Sequence, residues 1–345
     1  MKARLEQRWA GHTSGPRTSS DLEEWPAALL SKLDSFQRYH VLRFVRLAHS
    51  YSTGYSGCGF FESAVGQLCS HAGVRPPRCS EAWELLPKPR AGLLCSSPES
   101  PEHVYGDMMS IFPARAVAKM RRIQKVLAKE HLREMRTDPS GCKRNIAERG
   151  EMPLNALDGV LANVGPQESS WCYKHQRMCP FTAVPSERFG FHCSGSTCVD
   201  YSCRSRKRLQ EPGAHTVVFC TWANMRRRRC EEIILHECVV SHPSLRLMQR
   251  YVGSTHFVWT WVMCPSHQGF PSTRRRRFTI ALLKARVKTP LCRSPCELFH
   301  RDIVADGSIY WSAPAFKIDA WLGSMSVRTC RELLSRGAQE RHFQY

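Results

Sequence analysis

Short apolar runs alternate with helical or turn-rich stretches along most of this 345-residue chain, and no other feature restricts the fold as much. The runs Phe189-Gly190-Phe191-His192-Cys193, Glu232-Ile233-Ile234-Leu235, Phe257-Val258-Trp259-Thr260-Trp261-Val262 and Phe278 to Leu283 have the length and the β-branched or aromatic content of strands. Val41 to Leu47 and His103-Val104-Tyr105-Gly106-Asp107-Met108 read the same way, although the first also suits a helix. Helical segments stand between the runs, namely Phe61 to His71, Pro113 to Met135 and Val217 to Arg226. In Pro113 to Met135, the residues Val117, Met120, Ile123 and Leu127 share one face, and Pro113 suits a first-turn position. Strands that alternate with helices are joined by crossovers, which produce a mainly parallel sheet. The expected fold class is α/β, with helices on both faces of the sheet.

The pattern holds from about 38 to 285. Residues 1 to 37 carry Gly, Ser, Thr, Pro and charge with little period. They read as a mobile tail with one short helix near Trp25 to Leu33. Residues 84 to 101 are rich in Pro and Ser and read as a loop, and an insertion is expected over about 110 to 180. Residues 286 to 345 form a short C-terminal region, and no internal repeat is visible.

Charge narrows the partners. Fifty Lys and Arg against thirty Asp and Glu give +20, which favours a polyanion, most simply nucleic acid. Arg226 to Arg229, and the basic helix after Pro113, are candidate phosphate contacts; a solvated basic face is the plainer reading of both. The opening residues are polar and charged, and no run is apolar enough to span a membrane. The 17 cysteines are scattered and do not form a compact secreted framework, so reduced thiols and an intracellular compartment are expected.

Candidate chemistry sits where strands end. After Phe189 to Cys193 comes Gly195-Ser196-Thr197-Cys198-Val199-Asp200-Tyr201-Ser202, a turn that would hold Cys198 out at the sheet edge. A nucleophilic cysteine needs that exposure and nearby positive charge, which Arg204, Arg206, Lys207 and Arg208 offer. Gly57 and Gly59 precede a helix and could bring backbone close to a ligand. Glu81 lies about 20 residues on, at the distance of an acid that takes ribose hydroxyls. Asp107 ends another strand; a turn or cap would explain it equally. Cys172-x-x-His175-x-x-x-Cys179, with Cys193 further on as a guessed fourth ligand, offers zinc-type ligands at loose spacing. Packed thiols and a surface histidine account for the same residues, and no metal is expected there.

These elements fall in one order: Gly57-Cys58-Gly59, Glu81, Gly106-Asp107, Gly195-x-x-Cys198-x-x-Tyr201-Ser202, His236-Glu237-Cys238 and Gly269-x-Pro271-x-x-Arg274-x-Arg276. The order resembles the motif series of the cytosine-5 DNA methyltransferase family, with the flavour of divergent, cysteine-rich dinoflagellate members. The resemblance covers about residues 41 to 285. It implies a Rossmann-like domain binding S-adenosylmethionine, with Tyr55, Gly57 and Gly59 on the methionine side. It also implies Glu81 on the ribose, Asp107 on the adenine amine, Cys198 as nucleophile, Glu237 against the base, and Arg274 and Arg276 anchoring the loop and contacting the base. The implied partner is DNA, in the nucleus; RNA as substrate, or a nucleic-acid-binding relative without activity, are the alternatives.

Departures accompany the likeness. Thr197 stands where the family has proline, Cys238 where it has asparagine, Ser272 where it has glutamine, and Phe60 where it has a second cofactor glycine. The interval from Asp107 to Cys198 is long, little remains after Leu283 for target recognition, and Ser326 to Glu332 only faintly resembles a late Arg-Glu motif.

Overall fold

The computed structural model describes residue 30 and residues 33–57, 59–95, 100–138, 146–181, 190–202, 209–264 and 274–286. Residues 1–29 and 31–32 of the expected tail, Cys58, the basic run Arg204 to Arg208, the Gly269 to Thr273 stretch and the C-terminal region after 286 lie outside these residues. The chain divides into two units. The larger comprises Leu42–Val262 with Arg276–Cys296 and includes Tyr55, Glu84, Asp107, Cys198, Glu237 and Arg276. The smaller comprises Met1–Val41, Met263–Arg275 and Glu297–Tyr345, and Arg274 belongs to it.

In chain order the elements are α1 (Ser35–Leu47), β1 (Ser50–Gly54), α2 (Phe60–His71), β2 (Arg78–Trp83), α3 (Pro87–Cys95) and β3 (His103–Tyr105). A 3₁₀ turn (Met108–Ile111), α4 (Ala114–Thr137), α5 (Ile146–Leu161), β4 (Ser169–Cys172) and β5 (Arg177–Pro180) follow. The chain then runs through β6 (Gly190–Gly195), α6 (Ala214–Arg229), β7 (Ile233–Cys238), α7 (Ser244–Val252), β8 (His256–Met263) and β9 (Arg276–Leu283).

The nine strands form one sheet in the order β5-β4-β3-β2-β1-β6-β7-β9-β8. β3, β2, β1, β6 and β7 are parallel, and β9 enters antiparallel against β7. Strand order reverses between β1 and β6, which opens a crevice beyond their carboxyl ends. This is the expected doubly wound α/β sheet. Helices cover both faces. Tyr51 of β1 stacks on Phe191 of β6 at 5.3 Å and meets Phe61 of α2 at 6.0 Å on one face. Residues one position on point the other way, so His192 of β6 meets Trp222 of α6 on the opposite face. The main core lies on that second face, between Trp83, Tyr105, Phe112, Met120, Leu157, Phe219 and Trp222.

Two expectations are corrected, and the stretch read as an insertion has regular structure of its own. Val41 to Leu47 is helical: Val45 and, just after the helix, Ala48 are buried three apart, with exposed Arg46 and Leu47 between them. The strand that follows is Ser50–Gly54, all buried. Its small polar residues bury because they find partners, Ser52 at His192 and Thr53 at Glu62. Residues 84 to 101 are not all loop. In α3, Pro87 and Pro89 occupy the first turn, where a missing N–H costs nothing, and Arg90 and Leu93 are buried. The expected insertion contributes α4, α5 and the β4–β5 hairpin. Leu154, Leu157 and Leu161 of α5 keep helical spacing after Pro153 and sit in the core.

Candidate active site

The loop from β1 to α2 is shaped by two left-handed glycines, Gly57 at φ 61° and Gly59 at φ 88°. Tyr55 is also left-handed, at φ 56°. Hydrogen bonds pin the loop to the end of β2. Ser56 N donates to Trp83 O at 3.0 Å, and Gly57 N donates to Glu84 Oε2 at 2.9 Å. Below it, Thr53 donates to Glu62 Oε1 at 2.5 Å and bonds Ser56 Oγ at 2.6 Å. Burial pushes the Glu62 carboxyl up.

Glu84 carries no motif of its own, yet it stands at the carboxyl end of β2, where the spacing from Gly57 points to Glu81. One oxygen holds Gly57 N and the other accepts Leu86 N at 2.8 Å. The sequence does hold a signal: the acid after Ala82-Trp83 leaves the strand, whereas Glu81 lies within it. Glu81 is fully buried. Arg229 grips both its oxygens, Trp83 Nε1 donates to it at 3.3 Å, and Arg226 lies 3.9 Å away. Burial alone would raise the Glu81 carboxyl; Arg229 and Arg226 overcome that and hold it below the ordinary range. Glu81 is thus enclosed within the fold as the counter-ion of Arg229 and Arg226, with no exposed oxygen to offer the ribose hydroxyls that its spacing suggests.

The same bonds correct the reading of Arg226 to Arg229. Arg226 is fully buried and bonds Glu231, while Arg228 donates to Leu161 O and Val164 O, each at 3.1 Å. Three of these four arginines hold the fold together. Arg226 abuts His192, whose Nε2 accepts from Trp222 at 2.8 Å and whose Nδ1 bonds Ser52 at 2.7 Å. Burial, then Arg226, keep that imidazole neutral.

At β6 the chain turns out as expected. Ser196 N donates to Glu237 O at 3.2 Å, and Ser196 Oγ bonds His236 Nε2 at 2.7 Å. Cys198 O then accepts Tyr201 N and Ser202 N at 3.0 and 2.8 Å, which closes a turn with Cys198 at its start. Asp200 accepts His215 N at 2.8 Å and so caps α6. Tyr201 OH bonds Thr216 at 3.1 Å, and Ser241 donates to Tyr201 O at 2.6 Å. Both flanks of the turn are tied down while Cys198 stays half-buried.

Glu237 lies near the end of β7 in register with Gly195, where a Cβ would stand 3.3 Å from Glu237 Oε2. Arg276, at the start of β9, bonds Glu237 Oε1 through Nε at 2.8 Å. Arg277 goes elsewhere, donating to Val240 O at 3.0 Å. Adjacent arginines thus take different partners, as an extended segment requires. Burial first, with Cys198 and Glu237 adding to it, pushes the neighbouring Cys238 thiol up to about 11. Arg274 lies two residues before β9, in the smaller unit.

Tyr55 directly follows β1, at the reversal point of the sheet. Its phenol is buried and has no hydrogen-bond partner among the described residues, and burial, then Cys220, Cys238 and Asp107, push its ionisation up. Asp107 caps the 3₁₀ turn through Met109 N at 2.9 Å and pairs with Arg121 at 3.0 Å. It lines a cavity of about 720 Å³ together with Phe112, Arg121, Arg122, Lys125 and Gln167. That cavity lies beside β3 and α4 and does not include Cys198 or Glu237. The zinc-type residues Cys172, His175 and Cys179 do meet, away from this crevice, on the β4–β5 hairpin. Cys193 is not with them; it is held in β6, where burial and then Glu62 push its thiol up.

No family model matches the chain. No curated protein matches it. Among solved structures it is similar to the S. pombe Dnmt2 methyltransferase, at 12% identity and a TM-score of 0.40, over 75% of this chain and 56% of that one. It is similar to a Spodoptera frugiperda DNMT2 mutant at 12% identity and 0.39, over 72% and 54%. The Entamoeba histolytica methyltransferase EhMeth matches at 9% and 0.38, over 72% and 55%. The chain spans about half the length of the solved structures it matches.

Proposed function

We propose that this chain transfers a methyl group from S-adenosylmethionine to carbon 5 of cytosine in nucleic acid. The observation that carries the reading is the Arg276–Glu237 pair at 2.8 Å, set beside the turn that begins at Cys198. These three residues come from three segments, and the motif series picks out all of them. The pair sits by the carboxyl ends of β6 and β7, where an open α/β sheet presents its ligands.

The residues at the β1 and β2 ends fit the cofactor. Gly57 and Gly59 hold positive φ, Glu84 stands at the strand end, and the buried Tyr55 hydroxyl has no partner among the described residues. Glu84 would take the ribose hydroxyls, Asp107 the adenine amine, and the Tyr55–Gly59 loop the methionine side. When bound, the cofactor supplies an electrophilic methyl group. Carbon 5 of cytosine is a weak nucleophile until a thiolate adds to carbon 6. Cys198 would make that bond, pushing the ring's electrons toward N3 and carbon 5. Glu237 would bond the N3–N4 edge and take up the charge developing there. Arg276 would orient Glu237 and reach the base carbonyl. Loss of the carbon 5 proton then expels the thiolate and restores the ring. A duplex hides these atoms, so the base must leave the stack, held by basic side chains on its phosphates.

The test is transfer of radiolabelled methyl from S-adenosylmethionine to duplex DNA and, separately, to transfer RNA. Label in either, abolished in Cys198→Ser, supports the reading and identifies the substrate. No transfer to either by folded protein with cofactor bound would refute it.

A further inference from the structure

We propose that the β3–β4–β5 edge of the sheet holds one structural zinc ion on His103, Cys172, His175 and Cys179. Their ligand atoms all lie within 4.8 Å of one another. The topology brings them together. Cys172 pairs with Tyr105 across β3 and β4, and Cys179 pairs with Ser170 across β4 and β5. Residues directly opposite, and residues two apart, share a face. His103, Cys172 and Cys179 thus project from three neighbouring strands on one side of the sheet. His175 comes from the turn between β4 and β5 and folds over them, with Gln176 taking the left-handed conformation at φ 52° that the turn requires.

The distances suit a metal. His175 Nδ1 is 3.5 Å from Cys172 Sγ and 3.4 Å from Cys179 Sγ. A tetrahedral zinc with ordinary Zn–S and Zn–N bonds puts such atoms about 3.6 Å apart. Hydrogen bonding accounts for the cluster less well. One imidazole nitrogen has one lone pair, so it satisfies one thiol and leaves the other. Among the described residues His103 Nδ1 is buried with no hydrogen-bond partner. Both cysteines are buried, and among the described residues neither is in a disulfide. Two thiolates would balance the ion's charge, which makes burial tolerable, and two sulfurs with two imidazoles select zinc over hard cations. Four protein ligands close the coordination sphere, so the role is structural. The ion would tie a four-residue edge strand to the sheet and steady the hairpin whose Ser170 bonds Ser110 at 2.8 Å, near Asp107.

Elemental analysis of the full chain purified with zinc should give one zinc per chain. Cobalt substitution should give the visible d–d bands and near-ultraviolet thiolate charge transfer of a tetrahedral sulfur-containing site. The Cys172→Ser/Cys179→Ser variant should lose the metal, whereas Cys95→Ser/Cys230→Ser, changing two exposed cysteines, should keep it. Folded wild type without zinc, or undiminished zinc in Cys172→Ser/Cys179→Ser, would overturn the proposal. If that variant fails to fold, alkylation mapping of the wild type decides. Cys172 and Cys179 should become reactive on adding a chelator, and unchanged reactivity would overturn the site.

Discussion

Glu81 and Glu84 lie three residues apart and have opposite surroundings. Glu81 is enclosed by Arg229, Arg226 and Trp83; the Glu84 carboxylate ends its strand and accepts from the backbone N–H groups of Gly57 and Leu86. Removing one partner of a buried ion pair leaves the other unpaired and costs about 3–5 kcal/mol. Glu81→Gln should therefore lower the urea midpoint sharply. Glu84→Gln should lower the midpoint less than Glu81→Gln does and should weaken S-adenosylmethionine, since a charged hydrogen bond is worth about 1.5–3 kcal/mol. Calorimetry and urea titration on both variants check the pair. If Glu81→Gln alone weakens the cofactor without unfolding, the roles are reversed. Spacing from Gly57 points to Glu81 because distance along the chain says nothing about whether an acid is inside a strand or beyond it. Cys198, Glu237 and Arg276 are legible because each belongs to a motif at a strand end or start. His103 is not, because a histidine two residues before Tyr105 shows its partners only once β4 and β5 are laid beside β3.

At the scale of elements, the Cys198 turn and α6 depend on one cap. Asp200 holds α6 through His215 N, and a Cβ on Gly213 would meet the Asp200 carboxylate at 2.1 Å. Gly213→Ala must displace Asp200, removing the cap and loosening the turn. It should cost about 1–2 kcal/mol and lower methyl transfer more than cofactor affinity. Unchanged melting and transfer would show that the turn is not held this way. Nucleic acid should be met by α4 rather than by Arg226 to Arg229, since Arg226 and Arg229 are taken up by buried ion pairs and Arg228 by backbone carbonyls. Replacing Arg122 and Lys125, which line the cavity beside Asp107, should lower the logarithmic salt slope by about 0.7–0.9 for each phosphate they neutralise. An unchanged slope would assign them to a solvated face. The sheet is readable from its apolar runs except at β1, where Ser50-Tyr51-Ser52-Thr53-Gly54 buries polar residues through hydrogen bonds that no hydropathy pattern displays.

Across the whole molecule, buried histidines set an acid limit. His192, His236 and His242 are almost wholly buried, and burial holds all three below the ordinary imidazole value of 6.5, His242 at about 3. The unfolded chain binds these protons first. Stability linked to them is complete above pH 6.5 and is lost as pH falls toward the folded value, by about 1.4 kcal/mol per pH unit for each group. The raised carboxyls of Glu62, Asp200 and Glu211 act in the opposite sense. His242→Gln isolates the effect: between pH 6 and 5 the variant's urea midpoint should fall less steeply than that of the wild type, and parallel curves would contradict it. The central claim, that Cys198 attacks the base, is tested most directly by trapping. An oligonucleotide with fluorine in place of the carbon 5 hydrogen of cytosine cannot release the thiolate after methyl transfer. Incubated with S-adenosylmethionine and the full chain, then digested and mapped by mass spectrometry, it should give an adduct on Cys198. An adduct on another cysteine, or methyl transfer to ordinary cytosine with no adduct trapped, would contradict the account.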